Sequence, residues 1–314
     1  MKAIGGYFEL ELKKLTHYHE DAVKINSARN CLEIILILRK WRRLYIPFYT
    51  CEAILQPIER QNVKYEFYSI NERLDPSYFP RLKKDEAFLY TNYFGLKQDT
   101  IVFLKEHYGE QLIVDNAQAF YAPRLKGIDT FYSPRKYFGV PDGGYLYTDL
   151  DCGLSIDTGS SWKRMSHLFK RIDQSANDGY LDFQQAELSL NYAPIERMSK
   201  LTDALLSSID YNDIAAKRHN NFVYLKNSLD YLNAMRFEVD DSSIPMVYPL
   251  FTNRLDLRDR LLSNNIYTAT YWRNVHKWCC KQYENRLAEQ LIPLPIDQRY
   301  SESDLNFIIS SILL

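Results

Sequence analysis

Residues 112–147 read LIVDNAQAFYAPRLKGIDTFYSPRKYFGVPDGGYLY, and the fold turns on them. Leu112, Ile113 and Val114 form an apolar, β-branched run that reads as the end of a buried strand. Asp115 follows at once, where that strand is expected to end. In an open α/β sheet the carboxyl ends of the strands face the crevice where ligands bind, so a carboxylate there points into a candidate site. A second strand-like run, Ile128 to Ser133, leads into Ser133-Pro134-Arg135-Lys136. Gly139, Pro141, Gly143 and Gly144 then mark a tight turn. Tyr145 to Tyr147 reads as a third strand returning from it.

An acid and a lysine therefore stand at two neighbouring strand ends. An amine at a crowded, partly desolvated position loses some preference for its charged form and becomes a nucleophile toward an aldehyde. A buried aspartate needs a cationic partner. The pyridinium ring of pyridoxal phosphate (PLP) is such a partner. A lysine Schiff base with an aspartate on the ring nitrogen is the usual protein handle on this cofactor. Spacing by itself leaves the plainer reading open: a lysine in a surface loop and an aspartate capping a turn.

The stretch resembles the nucleotide-sugar aminotransferases of the DegT group, which belong to the fold-type I PLP enzymes. Their pattern is a strand, D-x-A-Q, a strand, a lysine, and a glycine pair seven and eight residues on. Asp115-Asn116-Ala117-Gln118 matches the first part, and Lys136 with Gly143-Gly144 the second, with Asp142 where the group usually has Glu. The resemblance implies that Lys136 forms the Schiff base, that Asp115 pairs with the pyridine nitrogen and that Gln118 lies near the phenolic oxygen. It implies an α/β fold of the PLP-dependent transferase type I. A large domain over residues 16–210 would carry a mixed, mostly parallel sheet. Residues 1–15 and 211–314 would form a smaller α+β domain.

Asn26-Ser27-Ala28-Arg29-Asn30 precedes an apolar helix expected over Cys31 to Arg42, with Ser27 as candidate N-cap. Free N–H groups at a helix start make a natural phosphate seat, and a plain cap is the alternative. The resembling group carries S-G-T here and holds the PLP phosphate with it. Ser27, Ala28 and Arg29 are thus the implied phosphate residues, with Ala28 and Arg29 replacing Gly and Thr. Arg29 suits either a phosphate or a substrate carboxylate. The group's other phosphate-binding serine lies five residues before the lysine, where this chain has Phe131, so Ser133 is a substitute. Pro47 and Thr50 match P-x-x-T, and the position of the aromatic that stacks on the cofactor falls on Cys51. That leaves Tyr49 or Tyr93 as a source of ring contact. Asn92 stands where the group has His. In the group's N-x-R loop, which reaches the neighbouring subunit's cofactor phosphate, Asn177 fits and Gly179 replaces Arg.

Strand and helix alternate from residue 23 to 147, which argues for a parallel or mixed sheet. Further strands are expected where Phe8, Leu10 and Leu12 alternate, over Ile244 to Phe251 and over Ile266 to Thr270. A long helix is expected over Asp182 to Leu206, broken or kinked at Pro194.

Composition excludes several classes. The 314 residues are 46% hydrophobic and 25% charged, as in ordinary globular proteins. Net charge is −1 with no basic stripe, which argues against nucleic acid. The longest apolar helix candidate, Cys31 to Leu38, contains Glu33 and is too short to span a bilayer. The N-terminus lacks a signal-peptide core. Five cysteines (Cys31, Cys51, Cys152, Cys279 and Cys280) without a CxxC fit a reduced compartment, so the cytoplasm is the expected location. The six histidines have no metal-ligand spacing, so no metal is expected. Ser133-x-x-Lys136 is formally the S-x-x-K of penicillin-binding enzymes, but K-T-G and S-D-N are missing.

The resemblance implies a PLP-dependent aminotransferase of sugar or polysaccharide biosynthesis. It would move an amino group from an amino acid, glutamate first, to a nucleotide-linked keto sugar, as a homodimer with shared active sites. The departures at Ala28, Cys51, Asn92 and Gly179 keep an alternative open. That alternative is a PLP-binding homologue with other chemistry, such as dehydration, or a non-catalytic binding protein.

Overall fold

A short strand, β1 (Val23–Ile25), leads through Ser27 into α1 (Ala28–Arg39). Ser27 caps this helix as expected, its Oγ accepting from the Asn30 N–H at 3.2 Å. Cys31, Leu32, Ile34, Ile35 and Leu36 bury one broad face of it. Lys40, in the left-handed conformation at φ 58°, ends it. The computed structural model describes residues 4–153, 155–278 and 282–313.

Next come β2 (Arg43–Pro47), α2 (Leu55–Arg60), β3 (Lys64–Tyr68), β4 (Glu86–Thr91) and α3 (Gln98–Tyr108). After them come β5 (Leu112–Asn116), β6 (Asp129–Tyr132) and β7 (Gly144–Tyr147). These strands form one seven-stranded sheet in the order β1-β7-β6-β5-β4-β2-β3. β4 is buried along its whole length and lies between β2 and β5, while β3, exposed over Lys64, Tyr65 and Glu66, takes the edge. α1 and α2 pack on one face through Leu44, Ile46, Leu89, Ile113 and Phe131. An aromatic layer of Tyr68, Phe88, Tyr90, Tyr132 and Tyr145 fills the other.

Strand direction sets the site. β2, β3, β4, β5 and β6 run parallel, and β7 opposes both β6 and β1. One edge of the sheet thus collects the carboxyl ends of β1, β2, β4, β5 and β6 together with the start of β7. Asp115 lies inside β5, paired with Thr91 and Phe131, and not beyond the strand end as the sequence implied.

Gly144 shows why a glycine opens β7. A Cβ there would stand 2.5 Å from the Ser27 carbonyl carbon and 2.7 Å from the Ala28 nitrogen, both backbone atoms that no side-chain rotation can move. Gly143, at φ +116°, donates its N–H to the Asn26 carbonyl at 2.8 Å. The pair therefore seats β7 against the first turn of α1. Gly144→Ala is expected to lower stability by about 2–3 kcal/mol, read as a fall in the urea midpoint at unchanged slope. A midpoint equal to wild type would mean that this backbone contact does not form.

Beyond the sheet come α4 (Ser166–Asp173), α5 (Tyr180–Leu188) and α6 (Lys200–Leu206). The helix expected over 182–206 is broken around Pro194, as anticipated, into α5 and α6. Pro194 has no N–H to give, and its carbonyl is taken by Asn26 and Asn30 side chains at 2.9 and 2.8 Å. α7 (Tyr211–Leu229), β8 (Val247–Phe251), α8 (Leu257–Ser263), α9 (Val275–Trp278), α10 (Gln282–Gln290), β9 (Leu291–Pro295) and α11 (Glu302–Leu313) complete the chain. β8 and β9 pair antiparallel and bury Phe222, Leu250, Leu261, Leu294 and Ile308 with α7, α8 and α11.

Two expected strands do not form. The Phe8–Leu10–Leu12 alternation has no neighbouring strand to ladder with, and Tyr7 and Phe8 are exposed. Residues 266–270 are irregular because the Arg258 guanidinium takes the Ala269 carbonyl at 3.0 Å in place of a ladder. Cys31, Cys51 and Cys152 are free thiols, and Cys279 and Cys280 lie outside the described residues.

Candidate active site

The acid and the lysine singled out from the sequence meet at the collecting edge. Register places Asp115 beside Phe131, on the α1 side of the sheet. The Ala117 N–H donates to Asp115 Oδ1 at 2.8 Å. Among the described residues no cation forms an ion pair with this carboxylate. Burial pushes its pKa up to about 6, against the pull of the Ala117 N–H and the Lys136 charge.

Lys136 ends a single 3₁₀ turn, Pro134–Lys136, that follows β6. Lys136 is exposed to solvent, although protein atoms crowd its amine. This crowding pushes its ammonium pKa down. Arg135 and Arg29 add to the effect, and Cys51 and Asp115 oppose it. Its Nζ has no hydrogen-bond partner among the described residues.

The next residue is locked from the other side of the molecule. Arg218, buried on α7, donates to the Tyr137 carbonyl at 3.2 Å and lies over the Tyr137 ring at 4.5 Å. Gln298 Nε2 donates to the same carbonyl at 3.0 Å, and the Tyr137 hydroxyl donates to the Gln118 carbonyl at 2.8 Å. The lysine turn is thereby fixed to both β5 and the C-terminal unit.

Gln118 is buried, and its Oε1 accepts from the Phe94 N–H at 3.1 Å, which leaves the amide nitrogen as its free end. Asn92 is structural: it donates to Asn116 Oδ1 and accepts from the Lys97 N–H, both at 3.0 Å. Ser27, Ala28 and Arg29 form the start of α1 against Gly144. Arg29 donates to Gln56 Oε1, Asn191 Oδ1 and the Leu190 carbonyl at 2.9, 2.8 and 3.2 Å. Ser133 is buried directly before the lysine turn, and its hydroxyl has no partner among the described residues. Cys51 is half-buried, close enough for its sulfur to act on both Lys136 and Arg29. Asn177 stands apart. It is exposed on the turn before α5, where it accepts from the Tyr267 hydroxyl at 3.1 Å.

Neither expected source of a ring contact offers an open face. Tyr49 and Tyr93 are fully buried, and the Tyr93 hydroxyl donates to the Tyr49 carbonyl at 2.8 Å. Tyr271 is the aromatic that sequence reasoning missed. It is half-buried in the irregular stretch before α9 and acts on Tyr137, and burial, with Cys51 nearby, raises its phenol pKa to about 12. Arg135 was missed as well, although it adjoins Lys136; burial, Arg29 and Arg164 hold its pKa down at about 10. The surface hollows along α4 and beside Ile37 and Pro194 are lined by none of these residues.

No protein-family model and no curated protein matches the sequence. Solved structures do match the fold. The aminotransferase TlmJ from Streptoalloteichus hindustanus superposes with a TM-score of 0.66 at 16% identity, over 93% of this chain and 84% of that one. A DegT DnrJ EryC1 StrS aminotransferase from Brucella abortus gives 0.61 at 14% identity, over 93% and 84%. NtdA from Bacillus subtilis, with bound cofactor PMP, gives 0.64 at 13% identity, over 93% and 72%. In fold, therefore, this chain is an α/β protein built like the aminotransferase TlmJ and the DegT DnrJ EryC1 StrS aminotransferase.

Proposed function

We propose that this chain is a PLP-dependent aminotransferase that moves an amino group from an amino acid, glutamate first, to a nucleotide-linked keto sugar. One observation carries the reading. Lys136 and Asp115 lie close enough for their charges to act on one another; burial lowers the lysine pKa and raises that of the aspartate, and among the described residues Lys136 Nζ has no hydrogen-bond partner and Asp115 no ion pair. Each is left wanting what PLP would supply, an aldehyde for the amine and a cationic ring nitrogen for the carboxylate, so the residues present fit the group. PLP, when bound, supplies the carbonyl that captures amines and a ring that takes up an electron pair from the substrate carbon.

The chain's own groups do the rest. The lowered Lys136 pKa enlarges the neutral fraction of Nζ, which serves first as nucleophile and then as carrier of one proton. Asp115 would hold a proton at the ring nitrogen. Gln118 would offer its amide nitrogen to the phenolic oxygen. Ser27, Ala28, Arg29 and Ser133 would hold the phosphate at the start of α1. Cys51 would lie against the ring.

The same reading takes residues 16–210 as a cofactor domain, with 1–15 and 211–314 as a smaller one. Trp162, Phe169, Ile172, Leu181 and Leu188 are exposed around Asn177. Their apolar surface supports a homodimer in which Asn177 serves the neighbouring site. Among the described residues no helix is long and apolar enough to cross a membrane. The buried Tyr49 and Tyr93 favour a second reading, a PLP-binding protein with non-transaminase chemistry or with none.

An absorbance experiment separates the two. Purified protein with added PLP is expected to show a visible band that borohydride fixes onto Lys136. Glutamate is expected to bleach that band as the pyridoxamine form appears. A fixed band that ignores glutamate would favour the second reading, and no band at all would remove both.

A further inference from the structure

We propose that Arg29 and Arg135 form a seat for a phosphate monoester dianion beside Lys136, and that Glu187 fills this seat in the free chain and leaves when the ester binds. The proposal rests on the PLP reading, which already places Arg29 at the phosphate, and extends it to Arg135 and Glu187.

Arg135 directly precedes Lys136, and Arg29 is the second residue of α1, whose first turn adds free N–H groups and the positive end of the helix dipole. Among the described residues every hydrogen-bond partner of Arg29 is neutral: Gln56, Asn191 and the Leu190 carbonyl. Among them Arg135, with its side chain 15% exposed, has one ion pair, to Glu187, and its Nε is buried without a partner. The charges act on one another, since Arg29 holds down the pKa of Arg135 and both hold down that of Lys136, in each case after burial itself. Glu187 pairs with Arg135, Asp142 and Asp115 act on Arg135 and Lys136 from further off, and among the described residues no carboxylate pairs with Arg29. A phosphate ester brings about twice the charge of a carboxylate and the planar donors of arginine suit its oxygens.

Glu187 sits on a strap. It lies at the end of α5, Leu190 and Asn191 hold Arg29, and the Pro194 carbonyl is fastened by Asn26 and Asn30. Residues 187–194 therefore cross the first turn of α1, fastened at Pro194 and latched by Glu187. The Glu187 side chain is already 36% exposed, so releasing it uncovers little new surface.

The test compares PLP with pyridoxal, which lacks the phosphate, on wild type, Arg135→Gln, Arg135→Lys and Glu187→Gln. The readout is the dissociation constant from the visible band. Arg135→Gln is expected to weaken PLP about 10–100-fold, the loss of a charge-assisted bond, and to leave pyridoxal unchanged. Arg135→Lys, the safer variant for folding, is expected to keep most of the preference for PLP. Glu187→Gln is expected to tighten PLP about 10-fold and to leave pyridoxal unchanged. Equal losses for PLP and pyridoxal in Arg135→Gln, or no tightening in Glu187→Gln, would overturn the seat. UDP is assayed alongside as the other source of phosphate; Glu187→Gln tightening UDP in place of PLP would overturn the assignment beside Lys136. If wild type gives no band with either compound, the PLP reading fails, and the seat is judged by inorganic phosphate alone. A rise in melting temperature with phosphate, lost in Arg135→Gln, would support it, and no rise in wild type would overturn it.

Discussion

Lys136→Ala is expected to abolish borohydride-fixed attachment of PLP and to cut turnover by at least about 10²–10⁴-fold, the usual worth of a positioned proton carrier. The fold is expected to survive. Lys136 makes no hydrogen bond among the described residues and its ammonium is partly desolvated, so its removal breaks no partner. At neutral pH the variant should be at least as stable as wild type, because it removes a partly desolvated charge. The lowered pKa gives a sign for pH as well. The unfolded lysine holds its proton to higher pH than the folded one. Stability therefore rises with pH between the folded and ordinary lysine values, and this slope disappears in the variant. Small primary amines are expected to restore part of the turnover in Lys136→Ala, because position 136 is exposed to solvent. A variant that still couples to PLP on reduction would show that another amine forms the linkage.

Much of this site could be read from the chain because its parts are local. Asp115 follows an apolar triplet, and a strand that short and that apolar is central; Lys136 and Gly143-Gly144 follow the next strand after a turn. Parallel strands then bring these segments to one edge without long-range information. What escaped depends on distant pairs. Arg135 gained meaning only through Glu187, and Tyr137 only through Arg218 on α7. Tyr271 belongs to a stretch adjoining an expected strand, whose Ala269 carbonyl Arg258 had already taken. At Phe8, Leu10 and Leu12 the period was right, but alternation alone does not supply a neighbouring strand. Cys51 lies close enough to act on Lys136, but the motif could not reveal that Tyr49 and Tyr93 are sealed in the core.

Asp115→Asn is expected to kill activity and stabilise the cofactor-free chain, a combination that only a functional carboxylate gives. Its folded pKa of about 6 lies above the ordinary 3.8. Between those values the native state binds more protons than the unfolded one, so stability falls as pH rises through this window. Above pH ~6 the full cost of the buried charge is present, about 1–3 kcal/mol after allowance for solvent. Asparagine keeps an oxygen for the Ala117 N–H and carries no charge. At pH 7 the variant should therefore unfold at higher urea than wild type. Near pH 4 the two should coincide, and taking their difference cancels every other titrating group. Added PLP should stabilise wild type more than the variant at pH 7, since a ring cation answers the carboxylate and not the amide. Turnover should fall about 10²–10³-fold, the scale for losing one electrostatic stabiliser of developing charge. A variant less stable than wild type at pH 7 would mean that a cation already neutralises Asp115 in the free chain, and the case for a ring nitrogen there would go with it.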